Sequence, residues 1–464
     1  MSRRAPGAGE PPRAGDLPAR ARNPRTEGSR RLLEQAARLL PSGVRSNTGL
    51  ADDALLVASA RGAIVTDSDG NDYVDYLLGS GPMILGHAHP AVVEAVGRQL
   101  ADGSSYLALN ERAVELAQAV VDRVPCAEAV SFYSSGSESV NYALRLARAA
   151  TGRQKILKFE GAFHGMGDES LHSNQWTTGL GEGQAAAGGT AARPMAVPNS
   201  AGLPRAVTES VLVAPYNDLA ATGELLAEQG AEVAAIIVEP MQRTLVPAEG
   251  FLAGLRQLAD SSGALLVFDE MVTAFRLARG GAQEAYGVVP DLATLGKTVS
   301  GGHPLAVLCG AAEIMEYLRP GREPAAGGVM QTGTFSGNPV SCVAALATLA
   351  ELDRPGVYQR LAASGQRLRA GLDAAFAAAG IEACSSGHDT AFEAWFLPRP
   401  PRNHRDTLAT DRGRQTEFAH LLLERGVLKA HEKFFVCTAH DDRLLEFTVQ
   451  AFHDAAGALA AAGD

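Results

Sequence analysis

The feature that most constrains the fold of this chain is an alternation of short apolar runs and helical stretches from about residue 90 to about residue 310. The apolar runs are nearly continuous, whereas stretches such as 90–100 and 111–124 have the spacing of amphipathic helices. Apolar strands that alternate with helices are typical of a mostly parallel sheet that is covered on both faces. The predicted strands are residues 129–133, 155–159, 211–214, 234–238, 264–268 and 305–309.

The segments on either side of this alternation have a different pattern. Residues 63–76 form two strand-like runs around an Asp-Gly-Asn turn, which predicts a hairpin. After about residue 345 the pattern is helical, and short strands and a last helix follow. The first residues are rich in Arg, Pro, Gly and Ala and predict a disordered tail. We therefore predict a tail at 1–28, an N-terminal segment at 29–88, a large domain at 89–342 and a small C-terminal domain at 343–464.

Charge and cysteine usage argue against several classes of partner. The net charge of the 464 residues is −11, and nucleic acids or anionic membranes bind clustered positive charge instead. We also expect no membrane span, since no apolar stretch approaches the roughly 20 residues that one needs. The five scattered cysteines predict buried thiols in a reducing cytoplasm. We expect no metal site, because His87 and His89 lack a third ligand nearby.

One lysine is notable in a chain whose basic residues are nearly all arginine. Unlike a guanidinium group, an ammonium group can lose its proton when it is desolvated and then act as a nucleophile. Lys297 ends an apolar, glycine-containing run that begins at residue 290, and an acidic strand end lies upstream at Asp269. A surface lysine is the ordinary alternative, but this setting favours a lysine that forms a Schiff base. The lysines of the chain are Lys155, Lys158, Lys297, Lys429 and Lys433.

A turn rich in serine and glycine follows the first predicted strand. Ser135, Gly136 and Ser137 come just after residues 129–133 and open a stretch with helical spacing. The free N–H groups of a helix N-terminus, the two hydroxyls and the positive end of the helix dipole suit a phosphate group. An ordinary helix cap uses the same residue types, so this turn alone does not decide between the two.

Three further strand ends carry groups that suit a cofactor. Asp269 ends a strand, where a carboxylate either keeps the ring nitrogen of pyridoxal phosphate protonated or caps a helix. Glu239 closes another strand. Phe163 and His164 lie where an aromatic ring can cover a cofactor face, although a lone Phe more often belongs to the core. Together with Lys297, these groups favour a site for pyridoxal 5′-phosphate (PLP).

The order and spacing of these motifs resemble one enzyme family. From about residue 30 to its end, the chain is similar to the class III aminotransferases of fold type I, most of all to their glutamate-1-semialdehyde 2,1-aminomutase branch. The resemblance implies an α/β fold: a large domain with a mostly parallel, seven-stranded sheet between helices, and a smaller α+β domain formed by the N- and C-terminal segments. The matching motifs lie at residues 67–71, 81–87, 145–148, 158–165, 237–240, 268–270, 286–297 and 332–339.

The resemblance also implies roles for individual residues. Lys297 forms the Schiff base with PLP, and Asp269 pairs with the pyridine nitrogen. Thr334 reaches the phosphate of the neighbouring subunit, so we expect a homodimer with shared active sites, which is also the commonest soluble assembly. The other cofactor contacts that the resemblance implies are Ser135, Gly136, Ser137, Phe163, His164, Glu239 and Met271.

Two departures from the aminomutase pattern concern the substrate. Ser80 stands where the aminomutases have a pocket tryptophan, and Gly49 stands where they have a carboxylate-binding arginine. Arg45 is a candidate to replace that arginine from a different position, and a solvent-facing arginine is an equally open alternative. Gln242 is either a further substrate contact or a surface residue. Because the loss of an indole enlarges the pocket, we expect an aminotransferase that moves an amino group between a small-molecule donor and an oxo acceptor through Lys297.

Two other functions stay open at this point. The first is the intramolecular amino transfer of a glutamate-1-semialdehyde 2,1-aminomutase, which is an isomerase reaction. The second is a non-catalytic scaffold of the same fold. The scaffold is disfavoured because the lysine, the acidic strand end and the phosphate turn are all present in this chain.

Overall fold

The computed structural model of the protein describes residues 17–18, 25–40, 55–174, 188–323, 327–429 and 433–462. In this structure the strands lie close to the positions that the sequence predicts. The prediction lacks the strand Leu292–Leu295 that leads to Lys297, because its Leu and Ala residues are less typical of strands than β-branched residues. The strands are β1 (Val57–Arg61), β2 (Ile64–Asp67), β3 (Asp72–Asp75), β4 (Ala129–Tyr133), β5 (Lys155–Phe159), β6 (Val211–Ala214), β7 (Val233–Val238), β8 (Leu265–Glu270), β9 (Leu292–Leu295), β10 (Ala306–Gly310), β11 (Cys384–His388), β12 (Ala391–Trp395), β13 (Val427–Leu428) and β14 (Phe434–Phe435).

Seven of these strands form the central sheet, in the order β4-β10-β9-β8-β7-β5-β6. Strand β10 is antiparallel to both of its neighbours, and the remaining pairs are parallel. The carboxyl ends of β4, β5, β7, β8 and β9 therefore lie at one edge of the sheet, where ligands bind in folds of this kind. The predicted α/β class and the mostly parallel sheet are confirmed.

Helices and apolar side chains cover both faces of this sheet. Ile236 and Ile237 are neighbours on β7, and they belong to two different clusters of buried side chains, as expected for a strand whose side chains alternate between faces. The helices are α1 (Glu27–Leu39), α2 (Pro90–Asp102), α3 (Glu111–Val121), α4 (Gly136–Thr151), α5 (Arg205–Glu209), α6 (Leu219–Gln229), α7 (Phe251–Ser262), α8 (Gly281–Tyr286), α9 (Ala312–Met315), α10 (Pro339–Leu352), α11 (Val357–Ala378), α12 (His404–Thr407), α13 (Arg412–Glu424) and α14 (Asp442–Ala461).

Strands from the N-terminal and C-terminal segments meet in one of the two smaller sheets, β1-β2-β3-β13. Strands β2 and β3 form the predicted hairpin, and β13 from the C-terminal segment pairs in parallel with β3. Strands β11, β12 and β14 form a three-stranded sheet. The smaller α+β unit is therefore formed by both ends of the chain. The domain limits at residues 28, 88 and 342 remain predictions, and most of the predicted tail lies outside the described residues.

The described part of the chain contains no helix that is both long enough and apolar enough to cross a membrane. The cysteines carry free thiols, and four of the five are buried while Cys384 is partly exposed. Cysteines at such positions act as small apolar side chains of the core.

Candidate active site

A cavity of about 220 Å³ opens at the edge of the sheet where the parallel strands end. Its walls come from the turns that follow β4, β5, β7, β8 and β9, which the strand order brings together from distant parts of the sequence. The predicted cofactor residues that line this cavity are Gly136, Ser137, Phe163, His164, Glu239, Asp269, Met271 and Lys297.

The turn after β4 forms a capped helix N-terminus. Ser135 is the cap of α4: Glu138 N donates to Ser135 Oγ at 3.3 Å, and Ser135 N donates to Glu138 Oε2 at 2.9 Å. The Ser135 hydroxyl thus serves the helix, and Ser135 is not among the residues that line the cavity. Ser137 lies at the cavity, where its Oγ accepts a hydrogen bond from Met166 N at 3.0 Å. The first turn of α4, with its free N–H groups, suits a phosphate.

Three glycines keep room for a ligand beside this turn. A Cβ atom at Gly136 would lie 2.8 Å from Met271 Sδ, and one at Gly296 would lie 2.5 Å from the same sulfur. A Cβ atom at Gly165 would lie 2.6 Å from Ser137 Oγ. Larger residues at these positions would press on the cavity walls, so the fit of a phosphate-bearing ring depends on these glycines.

The floor of the cavity holds a buried carboxylate. Asp269 and His164 are 3% and 2% exposed, and Asp269 Oδ2 lies 2.7 Å from His164 Nδ1. Asp269 Oδ1 accepts hydrogen bonds from Met271 N at 3.2 Å and from Thr294 Oγ1 at 3.3 Å. His164 Nε2 is buried without a hydrogen-bond partner in the described residues. A carboxylate oriented in this way suits the protonated ring nitrogen of PLP, so these residues fit the cofactor.

Lys297 enters the cavity from the turn after β9. Its φ angle is +47°, in the left-handed region that residues other than glycine seldom adopt. Burial lowers the pKa of the Lys297 amine; the charge of Asp269 raises it, and the charge of Arg243 lowers it. Because burial is the largest of these influences, the neutral amine forms more readily than in an exposed lysine, and this is the form that reacts with a carbonyl group.

Glu239 fixes the two turns on the opposite wall. Its Oε1 accepts a hydrogen bond from Phe163 N at 2.8 Å, and its Oε2 accepts one from Arg243 N at 3.3 Å. The Arg243 guanidinium carbon lies 5.8 Å from the centre of the Phe163 ring. Arg243 also lines the cavity, and the sequence analysis misses it, since one arginine among many carries no distinguishing signal.

A second missed residue supports the turn after β5. Lys158 is 1% exposed, and its Nζ donates to the carbonyl oxygens of Ala162 at 3.3 Å, Ser170 at 3.1 Å and His172 at 2.5 Å. Burial lowers the pKa of Lys158 to about 7, against the opposing charge of Glu239. The scarcity of lysine in the chain is the one feature of the sequence that could have drawn attention to Lys158. The sequence does not indicate which carbonyl groups accept its hydrogen bonds.

The structure does not bring every predicted residue to the cavity wall. Ser80 is half-buried on a turn with φ +71°, and Gln242 is buried, with its Nε2 donating to Glu160 O at 2.7 Å. Thr334 is exposed. Arg45 lies outside the described residues. The substrate roles of Arg45, Ser80 and Gln242 and the intersubunit role of Thr334 stay predictions.

Known proteins resemble this chain over most of its length. The family model described as aminotransferase class-III matches residues 48–432. The chain belongs to this family. A glutamate-1-semialdehyde 2,1-aminomutase from Desulforudis audaxviator is 40% identical over 437 residues, which cover 92% of this chain and 97% of the relative.

The fold of this class-III aminotransferase is also similar to those of solved transaminase structures. An omega-transaminase from Sphaerobacter thermophilus is 33% identical with a TM-score of 0.84, over 93% of this chain and 97% of that chain. A transaminase with PLP bound is 27% identical with a TM-score of 0.85, over 95% of this chain and all of that chain. The predicted fold type I architecture, the PLP cofactor and an enzyme of amino-group transfer are confirmed.

Proposed function

We propose that this class-III aminotransferase moves an amino group within one substrate, as a glutamate-1-semialdehyde 2,1-aminomutase does. The observation that carries the proposal is the 40% identity to the aminomutase of Desulforudis audaxviator, which extends over 92% of this chain. The relatives therefore favour the alternative of the sequence analysis over the intermolecular aminotransferase that we expected from the substrate motifs.

An aminotransferase with separate donor and acceptor is the second candidate. Ser80 supports it, because a serine in place of the aminomutase tryptophan leaves more room for a bulky substrate. The structural likeness to an omega-transaminase supports it as well. Both candidates use small-molecule substrates and the same groups in the cavity, so the roles of those groups are common to both.

Lys297 is the proposed reacting amine in either case. When bound, PLP supplies a carbonyl carbon that links to amines and a ring that takes up electrons from the bonds broken next to it. Burial lowers the pKa of the Lys297 amine, so its neutral form is reached more easily than that of an exposed lysine. A neutral amine at this position takes a proton from the carbon that bears the substrate amine and returns it to a neighbouring atom.

The other groups of the cavity hold and polarise the cofactor. Asp269, oriented by His164, keeps a proton on the ring nitrogen. Gly136 and Ser137 at the first turn of α4 bind the phosphate. Phe163 covers one face of the ring, and the hydrogen bond from its N–H to Glu239 holds it in place.

We also propose that the enzyme is a cytoplasmic homodimer in which Thr334 contributes to the partner's site. Apolar side chains near Thr334 in sequence are exposed, including Met330 at 81% and Phe335 at 59%. Exposed apolar groups of this kind are expected to be covered by a partner surface. The free thiols of the cysteines suit a reducing compartment.

The proposed reaction can be tested with the PLP-loaded enzyme. We would add glutamate-1-semialdehyde and follow the appearance of the isomer whose amino group lies on the neighbouring carbon. The isomer without release of a free oxo acid supports intramolecular transfer. If the isomer does not form, but a panel of amino donors changes the PLP absorbance and releases oxo products, the aminotransferase is the correct function. A protein that gains no PLP absorbance contradicts both.

A further inference from the structure

We propose that Arg243 binds a carboxylate group of the substrate and so selects amino compounds that carry a carboxylate near the reacting amine. The inference rests on the proposed function, because it requires that Lys297 reacts in the same cavity. It concerns a residue that none of the sequence motifs includes.

The position of Arg243 is fixed relative to the reacting groups. Arg243 and Lys297 line the same cavity. The backbone of Arg243 is held by Glu239, which is 5% exposed and accepts the Arg243 N–H at 3.3 Å. Since Glu239 also accepts the N–H of Phe163 at 2.8 Å, the arginine and the aromatic ring are attached to one carboxylate. The guanidinium group therefore lies beside the ring that is proposed to cover the cofactor.

The backbone of Arg243 indicates that this side chain is used. Its φ angle is +62°, a left-handed conformation that glycine adopts freely and other residues adopt at a cost. Lys297, with φ +47°, has the same kind of conformation in the same cavity. Unfavourable backbone conformations cluster at functional sites, where the position of a side chain matters more than its conformational cost. We infer that the guanidinium group, which glycine would lack, is the reason for an arginine at this position.

Arg243 brings a positive charge into a cavity that is also lined by two carboxylates, Asp269 and Glu239. Asp269 is oriented by His164, and Glu239 accepts two backbone N–H groups. Burial lowers the pKa of the Lys297 amine, the charge of Asp269 raises it, and the charge of Arg243 lowers it further, so Arg243 and the reacting amine are close enough in this cavity for their charges to interact. A guanidinium group stays protonated and offers a planar pair of donors that matches a carboxylate.

Two amine reagents separate the contribution of a carboxylate from the reaction with PLP. Aminooxyacetate and methoxyamine both react with a lysine-bound pyridoxal group, and only aminooxyacetate has a carboxylate. The change in PLP absorbance gives the apparent affinity of each reagent. We expect the wild-type holoenzyme to prefer aminooxyacetate by about 10- to 100-fold, the range of a charge-assisted hydrogen-bonded pair. Arg243→Gln should remove this preference, and Arg243→Lys should retain part of it.

A matched control and a glycine variant complete the test. Arg205→Gln removes an equal charge from a side chain that is 89% exposed, and it should keep the wild-type preference. Arg243→Gly should lose the preference without a lower melting temperature, because glycine tolerates the left-handed backbone. A preference for aminooxyacetate that survives in Arg243→Gln overturns the inference, as does a wild-type enzyme without any preference.

The affinity for PLP distinguishes the substrate from the cofactor phosphate as the anion that Arg243 binds. We expect Arg243→Gln to bind PLP within about twofold of wild type, because the proposed phosphate site lies at the first turn of α4. A tenfold or larger loss of PLP affinity would assign the arginine to the cofactor and overturn the inference. If wild-type protein shows no lysine-dependent PLP absorbance, the proposed function itself fails, and this result differs from each of the others.

Discussion

The two halves of the cavity are built in different ways. The half that we propose binds the cofactor is lined by Gly136, Ser137, His164, Asp269 and Lys297, and these residues lie in or shortly after strands β4, β5, β8 and β9. Strand ends in a sheet have neighbours at fixed spacings, so their side chains have little freedom of position. Asp269 shows this in its hydrogen bonds to His164 and to the backbone of the next turn.

The proposed substrate half contains Arg243 at the cavity wall, and Ser80 and Gln242 are predicted substrate contacts that do not line the cavity. Ser80 and Arg243 lie on turns and have φ angles of +71° and +62°. The contacts of Arg243 include the hydrogen bond from its N–H to Glu239 and the approach of its guanidinium group to the Phe163 ring. If the proposed roles are correct, the strand ends of the sheet provide the chemistry common to the family, whereas the turns around it select the substrate. Changes in the cofactor half should therefore abolish activity, and changes in the substrate half should alter selectivity.

The largest effect is expected for Lys297→Ala. Removal of the reacting amine should lower turnover by about 10³-fold or more and should remove the lysine-dependent PLP absorbance. Steady-state kinetics and visible spectra measure the two quantities. Lys155→Ala is the control, because Lys155 Nζ bonds to Gln229 and Glu232 on the surface instead. Wild-type turnover in Lys297→Ala would contradict the role of the cofactor half.

The second largest effect is expected for Asp269→Asn. The variant loses the charge that keeps the ring nitrogen protonated, and turnover should fall by about 100-fold or more. PLP should still bind, since the phosphate turn is unchanged. Equilibrium binding of PLP and turnover are measured together, with Asp353→Asn, which changes a partly exposed carboxylate, as the control. Full activity would mean that another carboxylate faces the ring nitrogen.

A smaller effect is expected in the substrate half for Ser80→Trp. An indole at this turn should reduce the room for bulky substrates and change the ratio of kcat/KM between a large and a small amine by about tenfold. Ser80→Ala is the control, because it keeps the size of the side chain. Turnover of the preferred small substrate should change less than the ratio. Equal ratios in the two variants would place Ser80 outside the substrate half.

The smallest effect is a pH dependence of stability that comes from Lys158. Burial lowers its pKa to about 7 from an ordinary 10.5. Between these values the unfolded chain holds a proton that the folded chain has released, so stability rises with pH, by at most about 1.4 kcal/mol per pH unit. The difference in unfolding free energy between wild type and Lys158→Met should therefore increase from pH 7 to pH 10.

Urea unfolding at several pH values measures this difference. Lys155→Met is the matched control, since Lys155 lies on the same strand and keeps part of its surface exposed. A difference between wild type and Lys158→Met that stays constant across this pH window would contradict the lowered pKa. In that case the role of Lys158 would be limited to its hydrogen bonds with the turn after β5.

The same comparison explains which parts of the molecule could be predicted from the sequence. Asp269 and Gly136 follow strands whose apolar pattern is visible along the chain, so their convergence at one sheet edge follows from the fold class. The position of Arg243 depends on a left-handed turn and on a hydrogen bond to Glu239. The carbonyl groups around Lys158 meet only after the following turn has folded. Neither arrangement has a periodic signal.

The most direct test of the account is to locate the PLP attachment site. Borohydride reduction of the PLP-loaded protein fixes the cofactor to its lysine, and peptide mass spectrometry then identifies that lysine among the five in the chain. The account predicts the label on Lys297 alone. A label on the buried Lys158 or on any other lysine, or no label at all, would contradict it.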